Sequence, residues 1–351
     1  MSWRTERYTL RPLAAEQREQ WDRFVTEHPY GHLLQSWGWG ELKQQAGWDA
    51  LRLALWDAER ERIVAGAQVL RRTLPHLPLR VGHLAYVPKG PLIDWFQPEQ
   101  CRAFFSQLNS FLIRQGALAL HIEPALEAGT EHGEHIMKQL AALDFHAARA
   151  IQPLRTIMLD VTPDEDTLLA RMKEKWRYNV RLAARRGVTV RGAETLEDVA
   201  AWYRLLEMTA ARDHFGIHTL DYYRRAWQLF AARGQARLLL AEYQGQLLAG
   251  IFVGLFARQA IYLYGASSNE QRQVMPNYLL QWEAIRQARQ HGASCYDFWG
   301  IPESDAEEEA MVGVYRFKRG WGGRVVRFLG CYERVYHPLA MKVARNLMHA
   351  R

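Results

Sequence analysis

Cationic side chains are concentrated in one short part of the sequence. Between positions 171 and 191, eight of 21 residues are Lys or Arg, and Glu174 is the only acidic residue among them. Such a run is typical of a surface that binds phosphate groups, although a cationic face that contacts only water gives the same pattern. The interleaved Trp176 and Tyr178 could stack on bases, but Trp176 also fits a buried stripe with Leu168, Leu169, Met172 and Leu182, and we predict that both aromatic side chains lie in the core. The candidates for contacts with a nucleic-acid backbone are Lys175, Arg177, Arg181 and Arg185.

A second cluster, at positions 314–323, combines aromatic, basic and glycine residues. Phe317 and Lys318 stand at its centre, and Gly320, Gly322 and Gly323 follow. Glycine permits tight backbone turns and the close approach of a ligand to the main chain. The cluster therefore predicts a strand in which Phe317 packs and Lys318 projects into a channel, with glycines that leave room for a ligand.

Three further positions place polar groups beside turns or helices. Lys43 follows Trp39 by about one helical turn, and Lys89 and Asp94 flank a Pro/Gly-rich turn after a strand. Ligand contacts concentrate on such turns. The residues alone nevertheless favour the simpler interpretation, in which the tryptophan is core and the polar side chains are solvated.

Neither the histidines nor the cysteines form a recognisable catalytic or metal-binding pattern. None of the 13 His residues lies in a nucleophile motif. Cys101, Cys295 and Cys331 are scattered without the spacing of metal ligands. We therefore predict free, buried thiols, no metal and no cofactor.

The elements that must position these residues are clearest at 260–302. This stretch is a β-rich run, a turn-forming segment, a helix with apolar residues at three- and four-residue spacing, and a second strand. Acetyl-CoA-dependent N-acyltransferases use the same order, with a glycine-rich loop that grips the pyrophosphate. Here the corresponding loop, 271–276, has no glycine, and Pro276 has no N–H to donate. The pattern predicts that fold without its coenzyme A cradle.

Two pairs of similar segments indicate an internal duplication. Gly250 follows Gly66 by 184 positions in matching apolar runs, and Gly292 follows Gly116 by 176 positions after matching helices. The length of 351 residues suits two domains. A boundary candidate lies at 148–154, and the C-terminal helix is predicted to pack back on the first half. We predict a first domain at 1–152 completed by 330–351, and a second at 153–329.

Composition and charge restrict the class of protein. The hydrophobic content of 48% is ample for two cores, and the longest apolar stretch, 247–257, is shorter than the roughly 20 residues of a membrane span. The N-terminal residues lack the apolar core of a signal sequence. We predict a cytoplasmic protein whose net charge of +7 favours an anionic partner.

Seven short motifs, in one order along the chain, resemble the Fem family of peptidoglycan bridge aminoacyltransferases (FemABX). Each motif alone is weakly specific, but together they span about residues 35 to 330. In this sequence they read Gln35-x-x-x-Trp39-x-x-x-Lys43, Lys89-Gly-Pro-x-x-Asp94, Arg177-Tyr-Asn-Val-Arg181 with Arg185-Arg-Gly187, Arg212-Asp-x-Phe215, Leu279-Leu-Gln-Trp-Glu-Ala-Ile-Arg286, Tyr296-Asp-Phe-Trp-Gly300 and Tyr315-x-Phe-Lys-x-Gly-x-Gly322.

The resemblance implies an α+β (mixed α/β) protein of two tandem acetyltransferase-like (GNAT-like) domains. Such enzymes take an amino acid from aminoacyl-tRNA and attach it to the side-chain amine of the third stem-peptide residue of a peptidoglycan precursor. Residues 162–191 are too few for the helical arm of some members. The chain is therefore similar to the armless, FemX-like branch, whose precursor is UDP-linked. The expected partners are aminoacyl-tRNA and UDP-MurNAc-pentapeptide or a lipid-linked precursor, the latter at the inner face of the membrane.

The resemblance also assigns residues to roles. Lys43 and Arg212 match residues that hold the precursor's phosphates, and Asp94 matches a residue on the peptide side. The remaining matches are Trp39 among the substrate-binding residues, Tyr264 lining the channel, and Phe317 and Lys318 beside the reacting ester. One departure concerns a tyrosine that armless members carry soon after the matched arginine. Here Phe215 and Gly216 follow, so a hydroxyl contact to the precursor is not supported.

The chemistry implied is direct transfer. An amine attacks an activated ester, which requires positioning, a neutral amine and stabilisation of the tetrahedral oxyanion. Lys318 could stabilise that oxyanion or bind the terminal phosphate of the tRNA. Two alternatives remain open: an acyl-CoA-dependent N-acyltransferase, and a non-catalytic tRNA-binding protein.

Overall fold

The computed structural model describes residues 7–73, 82–304 and 312–349. The chain forms two compact units, and we call them unit 1, residues 7–154 with 327–349, and unit 2, residues 155–326. The boundaries thus fall at 154/155 and 326/327, against the expected 152/153 and 329/330. In the described residues, no helix is both long and apolar enough to cross a membrane.

Unit 1 is built on a seven-stranded mixed sheet in the order β1-β2-β3-β4-β5-β14-β6. Its core includes Phe104, Phe105 and Leu108 of one helix and Ile136 and Leu140 of another. The strands are β1 (Tyr8–Pro12), β2 (Asp49–Asp57), β3 (Arg62–Thr73), β4 (His83–Pro88), β5 (Ala117–Glu123), β6 (His146–Ala148) and β14 (Cys331–Val335). The helices are α1 (Arg18–Glu27), α2 (Trp37–Gln44), α3 (Pro98–Arg114), α4 (Glu131–Ala142) and α11 (Pro338–His349).

Unit 2 has a second seven-stranded mixed sheet, in the order β13-β7-β12-β11-β10-β9-β8. Its core includes Trp321, Tyr296 and Phe298, all fully buried. The strands are β7 (Arg155–Asp160), β8 (Thr189–Gly192), β9 (Ala236–Tyr243), β10 (Gln246–Phe256), β11 (Gln259–Ser267), β12 (Cys295–Gly300) and β13 (Arg324–Arg327). The helices are α5 (Glu165–Arg171), α6 (Glu174–Arg185), α7 (Leu196–Asp213), α8 (Leu220–Ala231), α9 (Pro276–Gln290) and α10 (Val312–Arg319).

The predicted repeat is present in the topology of the two units. β2 to β5 and β9 to β12 follow the same order, and the last two strands of each set are parallel. In each unit a tryptophan from a preceding helix packs on the matched glycine: Trp21 on Gly66 and Trp202 on Gly250. A Cβ at either glycine would approach the indole ring within 3.0 Å, so the small residue is required for this packing.

Two separate helices follow Thr162. The chain forms α5, capped by the Asp164 side chain accepting from Thr167 N–H (2.9 Å), and then the separate α6. Arg177 terminates α5, because its Nη1 donates to the carbonyl oxygens of Ala170 (3.0 Å) and Met172 (2.6 Å). With seven and twelve residues, these helices leave no long helical arm between β7 and β8.

Candidate functional site

The sheet of unit 2 opens between two neighbouring parallel strands. β11 and β12 pair at three positions, 259–261 with 295–297, and beyond them both strands continue without pairing to each other. In unit 1 the corresponding strands β4 and β5 stay paired over six residue pairs, from His83–Ala117 to Pro88–Glu123. Among the described residues, this parting of strands therefore distinguishes unit 2 from unit 1.

Lys318 lies at the place where the two strands part. Its Nζ donates to the carbonyl oxygen of Gly300 at the end of β12 (2.8 Å) and lies 5.5 Å from the ring centroid of Tyr262 on β11. Lys318 is only 6% exposed. Burial lowers the pKa of this ammonium to about 8, and the negative charge of Asp297 acts in the opposite direction. The site thus holds a buried cation that is still mostly protonated at neutral pH.

Phe317 anchors the helix that carries Lys318. Both residues lie on α10, so the expected strand at this place is wrong. The Phe317 ring contacts Tyr278 and Trp321, with centroid distances of 5.4 and 5.7 Å. Its carbonyl oxygen accepts from the indole N–H of Trp176 (3.0 Å). Phe317 therefore fixes α10 through packing.

The glycines after α10 do not leave room for a ligand, in contrast to the prediction. A Cβ at Gly320 would lie 2.1 Å from the Trp176 ring, and one at Gly322 would lie 2.6 Å from the Arg171 carbonyl oxygen. Gly322 also has a positive φ of 89°. These positions are glycine because α5 and α6 pack directly on this segment.

Tyr264 lies in a cluster of tyrosines that includes residues of α8. Its ring contacts Tyr223 (5.1 Å between centroids), and burial, with Tyr222 adding to the effect, holds its pKa well above the usual range. A bulge between Phe252 and Val253 of β10 shifts the pairing of β11 here. Tyr262, in contrast, packs against the core cluster that contains Trp321. The tyrosine beside Lys318 is therefore Tyr262, which the sequence did not single out.

The basic run forms an exposed surface along α6. Lys175, Arg181 and Arg185 are exposed, and Tyr178 is 55% exposed rather than in the core as predicted. Trp176 is half-buried, in line with its predicted role. We call the exposed cations and Tyr178 the α6 basic face. A depression of about 710 Å³ follows this face, lined by Glu174, Arg177, Tyr178, Arg181, Ala184 and Arg185.

Trp39 and Lys43 form one contact on α2 of unit 1. Trp39 is buried, and Lys43 Nζ lies 4.8 Å from its ring centroid, which is a cation–π contact. Burial lowers the pKa of Lys43 to about 8. The lysine is thus half-buried and packed on the tryptophan, not fully solvated as the residues alone favoured.

Asp94 and Arg212 lie in different units and in different surroundings. Asp94 is exposed, and its Oδ1 accepts from the Phe96 N–H (3.0 Å) in the turn after β4. Arg212 is bidentate to Asp213 (2.8 and 2.9 Å), and its Nη1 donates to the Ser267 carbonyl oxygen (3.1 Å) and to Asn269 (2.9 Å). Arg212 therefore joins the end of α7 to the segment after β11.

The cysteines do not provide a nucleophile. Cys101 and Cys331 are buried and Cys295 is half-buried, and all three are free thiols. Burial raises the pKa of Cys101 and of Cys295 to about 12, so both are protonated at neutral pH. In the part of the chain that the structure describes, no cluster of His, Cys, Asp and Glu could hold a metal ion.

Comparison with known proteins gives both a family and relatives. The family model described as the FemAB family matches residues 17–246 and 241–349. The lipid II:glycine glycyltransferase of Staphylococcus epidermidis is 26% identical over 407 residues, covering 95% of this chain and 96% of the relative. That alignment is longer than this chain of 351 residues, so the relative carries residues that have no counterpart here.

Solved structures share the fold. A crystal structure of FemX covers 96% of this chain and 100% of its own, with a TM-score of 0.87 and 24% identity. A tandem GNAT protein from the clavulanic acid biosynthesis pathway covers 93% of this chain and 98% of its own, with a TM-score of 0.56 and 15% identity. The predicted fold, two tandem GNAT-like domains of mixed α/β structure, is confirmed.

Proposed function

The chain belongs to the FemAB family, and from this premise we propose that it moves an amino acid from aminoacyl-tRNA to the side-chain amine of the third stem-peptide residue of a peptidoglycan precursor. Its relatives are named as lipid II:glycine glycyltransferases, and the chain is an aminoacyltransferase. The proposal adds the donor, the acceptor amine and the residues that carry out the transfer.

The observation that carries the proposal is the buried Lys318 between β11 and β12. In the reaction, the acceptor nitrogen forms a bond to the ester carbonyl carbon, and negative charge develops on the carbonyl oxygen. The ester C–O bond then breaks, and the proton lost by the amine goes to the departing 3′ or 2′ hydroxyl of the tRNA. An ammonium with restricted access to water stabilises that transient charge, because little water screens it. Lys318 Nζ has three donors, and the Gly300 carbonyl oxygen accepts one of them (2.8 Å).

The α6 basic face supports RNA as the donor carrier. Lys175, Arg181 and Arg185 are exposed, and Tyr178 offers an exposed ring to an unpaired base. Arg177 has two sets of contacts. It lines the depression, and its Nη1 donates to carbonyl oxygens at the C-terminal end of α5. We propose that Arg177 orients α6, with its remaining donors available to a phosphate, while the exposed cations bind the backbone.

We propose that the acceptor is a phosphate-linked muropeptide, and that Lys43, Trp39, Asp94, Arg212 and Tyr264 are each candidates for contacts to such a substrate. Two sources share this chemistry: the soluble UDP-linked precursor and the membrane-bound lipid-linked precursor. The relatives' name refers to the lipid-linked form. The absence of a long arm between β7 and β8 is the observation that favours the soluble form.

The test is a transfer assay with purified protein and a set of radiolabelled aminoacyl-tRNAs. One arm contains UDP-MurNAc-pentapeptide, the second contains lipid-linked precursor in detergent, and the third replaces the charged tRNA with acetyl-CoA. We expect label on the third-residue amine in the first or second arm, identified by mass spectrometry of the peptide. Transfer only from acetyl-CoA, or tRNA binding without transfer in every arm, would overturn the proposal.

A further inference from the structure

Strand β12 ends in a bulge that is held in an unfavourable backbone conformation. Its pairing with β7 runs regularly to Asp297, opposite Met158, and resumes only at Gly300, opposite Thr156. Two residues of β12 therefore face one of β7. Trp299, the second of them, has a φ of +61°, a left-handed conformation that a bulky side chain rarely adopts. The surrounding structure must hold this conformation in place.

Two buried side chains hold the bulge. Asp297 is 0% exposed, and its Oδ1 accepts from the Trp299 N–H (2.8 Å) and from the hydroxyl of Thr156. The Thr156 hydroxyl also lies 3.0 Å from the Trp299 carbonyl oxygen. The N–H and the carbonyl oxygen of Trp299 thus both lie within hydrogen-bond distance of side chains that are shielded from water.

The residue after the bulge contacts the proposed catalytic lysine. Gly300 follows Trp299 directly, and its carbonyl oxygen accepts from Lys318 Nζ (2.8 Å). We propose that Asp297 is a positioning residue for aminoacyl transfer: through the bulge at Trp299 it places the Gly300 carbonyl, and with it Lys318 Nζ, between β11 and β12. The proposal rests on the proposed function and names a residue with no predicted role.

Electrostatics gives Asp297 a second influence on Lys318. Its carboxylate raises the pKa of Lys318 against the effect of burial. Three described groups around the bulge are neutral at pH 7 to 9, because burial raises the pKa of Tyr262 and of Cys295 to about 12 and that of Tyr296 well above its usual range. A change of charge at residue 297 therefore changes the pKa of Lys318 in that pH interval.

The first experiment measures the pKa of Lys318 directly, without reference to activity. The chain has seven lysines, so ¹³Cε-labelled lysine gives a spectrum in which the signal missing in Lys318→Met identifies residue 318. Asp297→Asn keeps an acceptor oxygen but removes the charge, and we expect it to lower the pKa of Lys318. Asp160→Asn is the matched control, since Asp160 is an exposed carboxylate on the neighbouring strand. An unchanged pKa of Lys318 in Asp297→Asn overturns the electrostatic influence of Asp297, and the next two experiments test the positioning role.

The second experiment is a double-mutant cycle of single-turnover transfer at saturating aminoacyl-tRNA. If the pKa falls by one unit from 8, the protonated fraction at pH 8 drops from about one half to about one tenth, a fivefold loss of rate. We expect Asp297→Asn to slow transfer at least that much and to shift the alkaline limb of the pH profile to lower pH. In a Lys318→Met background it should add almost nothing.

Thr156→Val provides an independent route to the same conclusion, because it loosens the bulge without altering charge. We expect slower transfer with an unchanged KM for aminoacyl-tRNA, and no further loss when Lys318 is already Met. If the rate losses of Asp297→Asn or Thr156→Val add to that of Lys318→Met in an otherwise active enzyme, the positioning role of Asp297 is overturned but the proposed function is not. A wild-type protein without any transfer overturns the proposed function, and the lysine titration then still decides whether Asp297 acts on Lys318.

Discussion

Replacing Lys318 by Met separates the chemical step from binding. The ammonium is 6% exposed and donates to the Gly300 carbonyl oxygen, which leaves two N–H groups for an oxyanion. At about 3 Å and an effective dielectric constant of about 20, the attraction between unit charges is about 5 kcal/mol. Loss of one such donor usually costs about two to three powers of ten in rate. We expect a loss of that size in single-turnover transfer from saturating aminoacyl-tRNA.

The same substitution should not harm stability at neutral pH. The pKa of Lys318 falls on folding from 10.5 to about 8, so the folded state binds fewer protons than the unfolded state between these values. Stability of the wild type therefore rises with pH through that window, and at pH 7 the buried charge costs about 3 kcal/mol. Lys318→Met should be at least as stable as the wild type at pH 7, with the advantage shrinking toward pH 10.

Two outcomes would refute this reasoning about Lys318. Full recovery of the rate at high aminoacyl-tRNA concentration would show that Lys318 only binds the terminal phosphate of the tRNA. A variant that unfolds at pH 7 would contradict the cost assigned to the buried charge. Arg316→Met is the matched control, because it removes an exposed cation from the same helix and should leave the chemical step unchanged.

Three further changes test other parts of the site. Reversing Lys175, Arg181 and Arg185 to Glu should reduce the slope of log tRNA affinity against log salt by about 2 to 3, and an unchanged slope would exclude the α6 basic face from RNA binding. Gly320→Ala should lower stability by about 1–3 kcal/mol, since its Cβ would meet an indole ring of α6 at 2.1 Å; an unchanged free energy of unfolding would contradict that packing. Arg212→Met should weaken precursor binding about tenfold or more and also lower the melting temperature, because its guanidinium joins α7 to the segment after β11. A loss of only one of these two properties would show which of the two roles Arg212 has.

The sequence carried enough information for the fold and the order of elements. Apolar periodicity located α9 between β11 and β12, and the spacing of Gly66 and Gly250 revealed the repeat. These signals are local or depend on regular spacing, so one sequence contains them. The absence of a long arm was likewise predictable, because it depends only on the number of residues between β7 and β8.

The details of the site depend on tertiary contacts that periodicity does not show. We predicted both Trp176 and Tyr178 in the core, yet they are two positions apart on α6 and so point to different faces, and the face of Tyr178 is exposed. Phe317 and Lys318 were expected on a strand, because an aromatic-basic-glycine cluster has no helical period of its own. The parting of β11 from β12 and the left-handed Trp299 leave no mark in the sequence that distinguishes them from regular strand residues.

The two units differ at the equivalent ends of their parallel strands, and from this difference we propose that the chemistry takes place in unit 2. In unit 1, Glu123 ends β5 with a buried carboxylate that accepts from the Ile151 N–H (2.6 Å), the Gln152 N–H (3.1 Å) and the Tyr86 hydroxyl. The Glu123 carboxylate thus accepts hydrogen bonds from groups of the same unit, and β4 and β5 remain paired up to this residue. In unit 2 the corresponding strands part and a cation lies between them. Two copies of one topology thus place opposite charges at comparable strand ends. Of these two charges, the cation lies beside strands that have separated, and we propose that the developing oxyanion contacts it there.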